Sequence, residues 1–157
     1  MAPIVNCVPQ RQRLIQIKAP GTGRLISTFG GPGIIVNETI YIVDDDDGIR
    51  NALRSLLECE GFDVAAFASC ADFLRHVRPE RPSCLLLDVH MPGMSGLELL
   101  ERIRCGGTGL PAILMTGNPD PAILSAAERA GVALLRKPFA AEDLVDSINE
   151  ALRDHLQ

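Results

Sequence analysis

The chain of 157 residues is long enough for one domain with a sizeable core, and 46% apolar residues with 4% aromatics and no tryptophan suit an aliphatic α/β interior. Its net charge of −5 is uneven, since residues 1–38 hold Arg11, Arg13, Lys18 and Arg24 against Glu38 alone, which leaves an acidic remainder that argues against a nucleic-acid surface. No apolar run reaches membrane-spanning length and no long apolar stretch opens the chain, so a cytoplasmic protein with no membrane partner is expected.

Cys7, Cys59, Cys70, Cys84 and Cys105 are odd in number and widely spaced, and none forms a Cys-x-x-Cys pair. Neither a disulfide frame nor a zinc site is indicated, and the expectation is small buried hydrophobes in a reducing compartment.

Residues 1–38 contain Pro3, Pro9, Pro20 and Pro32 with glycines at 21, 23, 30, 31 and 33, and no apolar period survives there for long. This stretch reads as an extension outside the fold, disordered or foreign to the natural chain, ahead of a domain over residues 39–157. Val36 reads as a natural start. The rival reading is a basic arm that docks on an acidic partner or on phosphate.

From Thr39 the punctuation becomes regular. Thr39 to Val43 is β-branched and aromatic, reads as a strand, and stops at four aspartates, Asp44 to Asp47. Asp47 to Glu60 spaces Ile49, Leu53, Leu56 and Leu57 as a helix, with Gly61 past its end. Val64 to Phe67 gives a second strand, and Ser69 caps a helix that turns Phe73, Leu74 and Val77 inward. The run Cys84-Leu85-Leu86-Leu87 reads as a strand buried on both faces, with Asp88 at its carboxyl end and Met91-Pro92-Gly93 forcing a turn.

Ser95 caps a third helix with Leu97, Leu100 and Ile103 inward, closed by Gly106 and Gly107. Ala112 to Met115 is the fourth strand, ending at Thr116, and Pro121 to Ala130 the fourth helix, ending at Gly131. Val132 to Leu135 is the fifth strand, stopped by Lys137 and Pro138. The last helix starts near Ala141 with Leu144, Ile148, Leu152 and His155 on one stripe.

Five strands alternating with five helices predict an α/β fold, a doubly wound five-stranded parallel sheet with right-handed crossovers. All strands then end at one edge, where Asp44, Asp45, Asp88, Thr116 and Lys137 meet from four strands. Three carboxylates in one crevice repel one another unless a hard divalent cation with oxygen ligands sits among them, and Mg²⁺ fits best. Lys137 adds a fixed positive charge for an anion and Thr116 a hydroxyl donor, so the set describes a phosphoryl site with a carboxylate nucleophile.

Four motifs, Ile-Val-Asp44-Asp45-Asp46, Leu-Leu-Leu-Asp88-Val-His-Met-Pro-Gly-Met-Ser-Gly, Ile-Leu-Met-Thr116-Gly and Lys137-Pro138-Phe139, occur in that order. The chain from Thr39 onward thereby resembles the receiver domain of two-component response regulators, most closely the nitrogen-fixation-regulator branch. The resemblance implies the flavodoxin-like strand order 2-1-3-4-5 and a phosphoryl group accepted on Asp88 from the phosphohistidine of a sensor kinase or histidine phosphotransfer protein. It implies Mg²⁺ held by Asp45, Asp88 and the backbone carbonyl of His90, with Asp44 acting through water. Lys137 would pair with the phosphoryl group and Thr116 would swing toward it. The family is not enzymatic beyond catalysing its own phosphotransfer and dephosphorylation.

Two departures accompany the match. The aromatic residue usual three positions before the lysine is Leu134, and Gly131 to Lys137 is one residue shorter than the usual pattern. The chain also stops within one helix of Pro138, so the expectation is a stand-alone receiver that acts on a downstream protein target without binding DNA, with homodimerisation left open.

The same residues admit other readings. A calcium loop ending on Gly48 fails because its first and twelfth ligand positions are Val43 and Arg54. An aspartyl phosphatase using Asp44-x-Asp46 would want Thr or Val where Gly48 stands. A receiver-like interaction module independent of phosphorylation is the remaining alternative. His90, His76 and His155 read as surface histidines.

Overall fold

The structure, a computed structural model of the chain, describes residues 16–18, 25–27, 38–79 and 82–155. Within residues 1–36, two strands, Gln16–Lys18 and Leu25–Ser27, pair antiparallel with Ile17 opposite Ile26. Sequence reading found no strand there: three-residue segments with one central isoleucine are too short for alternation to show. Otherwise the expectation for residues 1–38 falls outside the described residues, Glu38 apart.

In residues 37–157 five strands, β1 (Thr39–Val43), β2 (Asp63–Phe67), β3 (Ser83–Asp88), β4 (Ala112–Thr116) and β5 (Ala133–Arg136), form one parallel sheet. Its order is β2-β1-β3-β4-β5, the flavodoxin-like 2-1-3-4-5. The connecting helices are α1 (Asp47–Cys59), α2 (Cys70–His76), α3 (Gly96–Cys105), α4 (Pro121–Ala130) and α5 (Ala141–His155).

Burial follows position in the sheet. Every residue of β3 is buried, as a central strand covered on both faces requires, whereas the edge strands β2 and β5 are only half-buried. Side chains alternate across the sheet and divide the core in two. Val43, Leu85, Leu87 and Leu114 face one cluster with Phe73, Leu99, Leu100 and Ile123 of α2, α3 and α4. Ile42, Leu86, Ile113 and Met115 face the other with Leu53 and Leu57 of α1 and Leu144, Ile148 and Leu152 of α5.

Helix starts are fixed by side chains that satisfy otherwise orphaned amides. Asp46, Ser69, Ser95 and Asp120 accept from Ile49, Asp72, Glu98 and Ile123, and Glu98 returns a bond to Ser95 to complete a capping box. Gly131 ends α4 at φ 64°, a left-handed conformation suited to glycine.

Leu97, Leu100 and Ile103 of α3 pack inward as expected, Leu97 half-buried, and Leu99 is buried beside them. Two expectations need correction, the bounds of the fifth strand and the burial of the cysteines. β5 is shifted by one residue, to Ala133–Arg136, so that Arg136 can pair beside Thr116. Cys70 and Cys84 are buried as expected, but Cys59 and Cys105 are exposed, each closing a helix on its solvent side. Burial pushes the Cys70 and Cys84 thiols up to about 11 and about 12, so neither is a thiolate at neutral pH. No helix among the described residues is long and apolar enough to cross a membrane.

Candidate functional site

The register of the sheet builds the site. Val43 pairs with Leu87, so Asp44 and Asp88, each one residue on, end level on neighbouring strands. Asp88 pairs with Met115 and Thr116 with Arg136, so Thr116 and Lys137 follow just beyond. Strand alternation then sorts them by face: Asp44, Asp88 and Lys137 continue the rows of Ile42, Leu86 and Leu135, while Thr116 continues that of Leu114.

The contacts agree with that sorting. Lys137 Nζ donates to Asp44 Oδ2 at 3.0 Å and to Asp88 Oδ1 at 3.3 Å. Asp44 is fully buried and Asp88 nearly so, at 0% and 6% exposed, whereas Asp45 is exposed. The other carboxylate oxygen of Asp44 accepts the Asp46 amide at 2.9 Å. Thr116, buried, instead has its Oγ1 accepting the Asn118 amide at 3.1 Å, within its own loop.

Two backbone bonds set the loop after Asp88. The Val89 amide donates to Met115 carbonyl at 2.9 Å, and the Gly96 amide to Val89 carbonyl at 3.1 Å. The second brings α3 so close that a Cβ on Gly96 would lie 2.2 Å from the Asp88 carbonyl oxygen, a contact only glycine avoids. The Lys137 amide in turn donates to Thr116 carbonyl at 2.8 Å, which ties the lysine to the end of β4.

Burial raises the Asp88 carboxyl above the usual aspartate range, and the charge of Asp44 adds to it. The charge and hydrogen bond of Lys137 and a His90 backbone bond offset part of the shift. Burial pulls the Lys137 ammonium down, but the hydrogen bond and charge of Asp44, then those of Asp88, outweigh it and the net shift is upward. Lys137 is therefore held as a cation between two buried acids.

One oxygen each from Asp44, Asp45 and Asp88 can lie within 4.8 Å of one another, the one such group of His, Cys, Asp and Glu side chains among the described residues. Three carboxylates against one ammonium leave net negative charge in a site of oxygen donors, so the residues fit a hard divalent cation. His90 is an exposed loop residue beside Asp88. Leu134 pairs with Leu114 in register, on the Thr116 face, and is half-buried against the α3 and α4 side of the core. Arg50 was missed by sequence reading: its guanidinium donates to the Asp44 carbonyl at 2.6 Å, and a backbone acceptor leaves no pattern in the sequence.

Comparison with known proteins agrees with this geometry. The family described as the response regulator receiver domain matches residues 40–149. This chain belongs to that family, the phosphoacceptor signalling domain of two-component systems. It is 38% identical over 115 residues to the response regulator protein TodT of Pseudomonas putida, covering 73% of this chain and 51% of TodT. It is 36% identical over 115 residues to the transcriptional regulatory protein FixJ of Bradyrhizobium diazoefficiens, covering 73% of this chain and 56% of FixJ. The chain thus spans about half the length of these curated relatives.

Among solved structures, the response regulator StyR superposes with a TM-score of 0.72 at 39% identity, over 77% of this chain and 62% of StyR. A receiver domain protein of Methanospirillum hungatei gives 0.71 at 31% identity, over 77% of this chain and 98% of its own.

Proposed function

We propose that the domain over residues 39–157 accepts a phosphoryl group on Asp88 from a phosphohistidine of a sensor kinase or phosphotransfer protein in the cytoplasm. The observation that carries this reading is Asp88, buried at the end of the central strand, level with Asp44 and bonded to Lys137. An Asp88 oxygen attacks phosphorus, the P–N bond breaks, and its electron pair returns to the imidazole, giving an acyl phosphate.

Asp45, Asp88 and the His90 carbonyl would hold Mg²⁺, with Asp44 through water; the ion would screen the carboxylates from one another and from the incoming phosphoryl anion. Lys137, already donating to Asp88, would turn to a phosphoryl oxygen. Asp44 retains its bond from Asp46 when Lys137 moves. Hydrolysis of the acyl phosphate in the same site resets the domain.

Thr116 is the switch in this reading. Its hydroxyl leaves Asn118 for the phosphoryl group, and the β4–α4 loop follows. With Leu134 on the same face, the movement is read by an aliphatic side chain in place of a ring. The output is binding to a downstream protein.

An aspartyl phosphatase is disfavoured by a specific contact: Asp46, its required acid, is committed to capping α1 through Ile49 at 3.0 Å. Beryllofluoride in Mg²⁺ separates the readings by fluorine NMR of the wild type and single variants. A signal lost in Asp88→Asn and retained in Asp46→Asn supports the receiver; loss in Asp44→Asn and Asp46→Asn with Asp88→Asn unaffected marks the phosphatase. No signal in wild type leaves only a phosphorylation-independent module.

A further inference from the structure

We infer that Arg50 is a positioning residue for the divalent cation, one that sets the geometry of Asp45 by clamping the peptide between it and Asp44. The inference rests on the proposed cation site and extends it to a residue outside the acidic cluster.

The ordinary reading of Arg50 is a helix-surface cation paired with Asp47 three residues back. Two observations contradict that reading. The Arg50 side chain is only 15% exposed while that of Asp47 is 84% exposed, so the arginine has left solvent for more than its ion pair. Its Nη1 donates at 2.6 Å to the carbonyl of Asp44, six residues upstream and across the loop, while Nη2 holds Asp47. A guanidinium can do both at once because its donors form a rigid fork; an ammonium cannot match that geometry.

The consequence falls on Asp45. Its carboxylate is exposed and, among the described residues, no hydrogen bond orients it. Its backbone is fixed instead from the residue before, where Lys137 and the Asp46 amide hold the Asp44 carboxylate and Arg50 holds the Asp44 carbonyl. Removing Arg50 frees that carbonyl and loosens the loop from which Asp45 reaches the cation. A ligand that must be ordered on binding binds more weakly than one already in place.

Charge alone predicts the opposite sign. A guanidinium beside a cation site repels the cation, so its loss should tighten binding if Arg50 acted only through Coulomb's law. Positioning predicts weaker binding on removal, and also when the charge is kept but the fork is lost.

The test is calorimetric titration of Mg²⁺ into the full chain and into Arg50→Ala and Arg50→Lys, with Asp45→Asn as the reference for a lost ligand. The wild type should bind, and Asp45→Asn should be severely weakened; failure there rejects the cation site itself and not the role of Arg50. Given that, both Arg50 variants should bind Mg²⁺ at least threefold more weakly. The Mg²⁺ concentration that gives half-maximal labelling by acetyl phosphate should rise in both by the same factor. Backbone amide exchange at Asp45 and Asp46 in Mg²⁺-free protein should be faster in both. Affinity unchanged or tightened in Arg50→Lys, which keeps the charge and is the variant least disturbing to the fold, overturns the inference. So does weaker binding without faster exchange in the loop.

Discussion

Asp88 carries the chemistry proposed here and is also a burden on the fold that supports it. Its carboxyl is raised above its unfolded value by burial first and by Asp44 second, so the native state favours its protonated form. The stability gained from that preference is fully present below the unfolded aspartate pKa of about 3.9 and is lost as pH rises through the raised native value. Asp88→Asn should therefore stabilise Mg²⁺-free protein at neutral pH. Lys137 has a shorter bond to Asp44, at 3.0 Å, which the substitution does not remove. Thermal melts in a chelator at several pH values check this: the gain should shrink toward zero as pH falls below about 4. Acid positions such as Asp44, Asp45 and Asp88 were legible in the sequence because a carboxylate ending an apolar strand is conspicuous. Arg50, Leu99 and the exposure of Cys59 and Cys105 were not, since each depends on where neighbouring elements pack.

At the scale of elements, the site depends on how close α3 stands to the end of β3. Gly96 opens α3 and leaves no room for a Cβ, which would meet the Asp88 carbonyl oxygen at 2.2 Å and Leu87 Cγ at 3.1 Å. The first obstacle is backbone and cannot rotate away. Gly96→Ala should cost about 2 to 3 kcal/mol in urea unfolding, as overpacking at a rigid contact does. It should also slow labelling at Asp88, because α3 can retreat only by moving the loop that begins there. Sequence reading placed Ser95 as the cap of α3 because serine before an apolar stripe is a local signal. It could not foresee that Gly96 is needed for a tertiary contact rather than for its backbone angles. Element boundaries drifted where local signals were weak, as in β5, whose frame is set by pairing with β4. The Gln16–Lys18 and Leu25–Ser27 strands were missed for the same reason: pairing, not periodicity, defines them.

For the molecule as a whole, strand order was legible only through the family resemblance. Alternating strands and helices predict a parallel sheet, but many orders satisfy alternation. The observed order 2-1-3-4-5 sets β3 between β1 and β4, so that Asp44, Asp88 and Thr116 end neighbouring strands at one edge. That the switch would work without an aromatic ring at Leu134 is a separate matter from whether the site accepts phosphate, and only the latter is central. Its most direct measurement is mass-spectrometric mapping of protein treated with acetyl phosphate, in Mg²⁺ and in chelator, for wild type and Asp88→Asn. The account predicts one phosphoryl group on Asp88 in Mg²⁺, little or none in chelator, and none in Asp88→Asn. A phosphoryl group on Asp44 or Asp45 that persists in Asp88→Asn would contradict it.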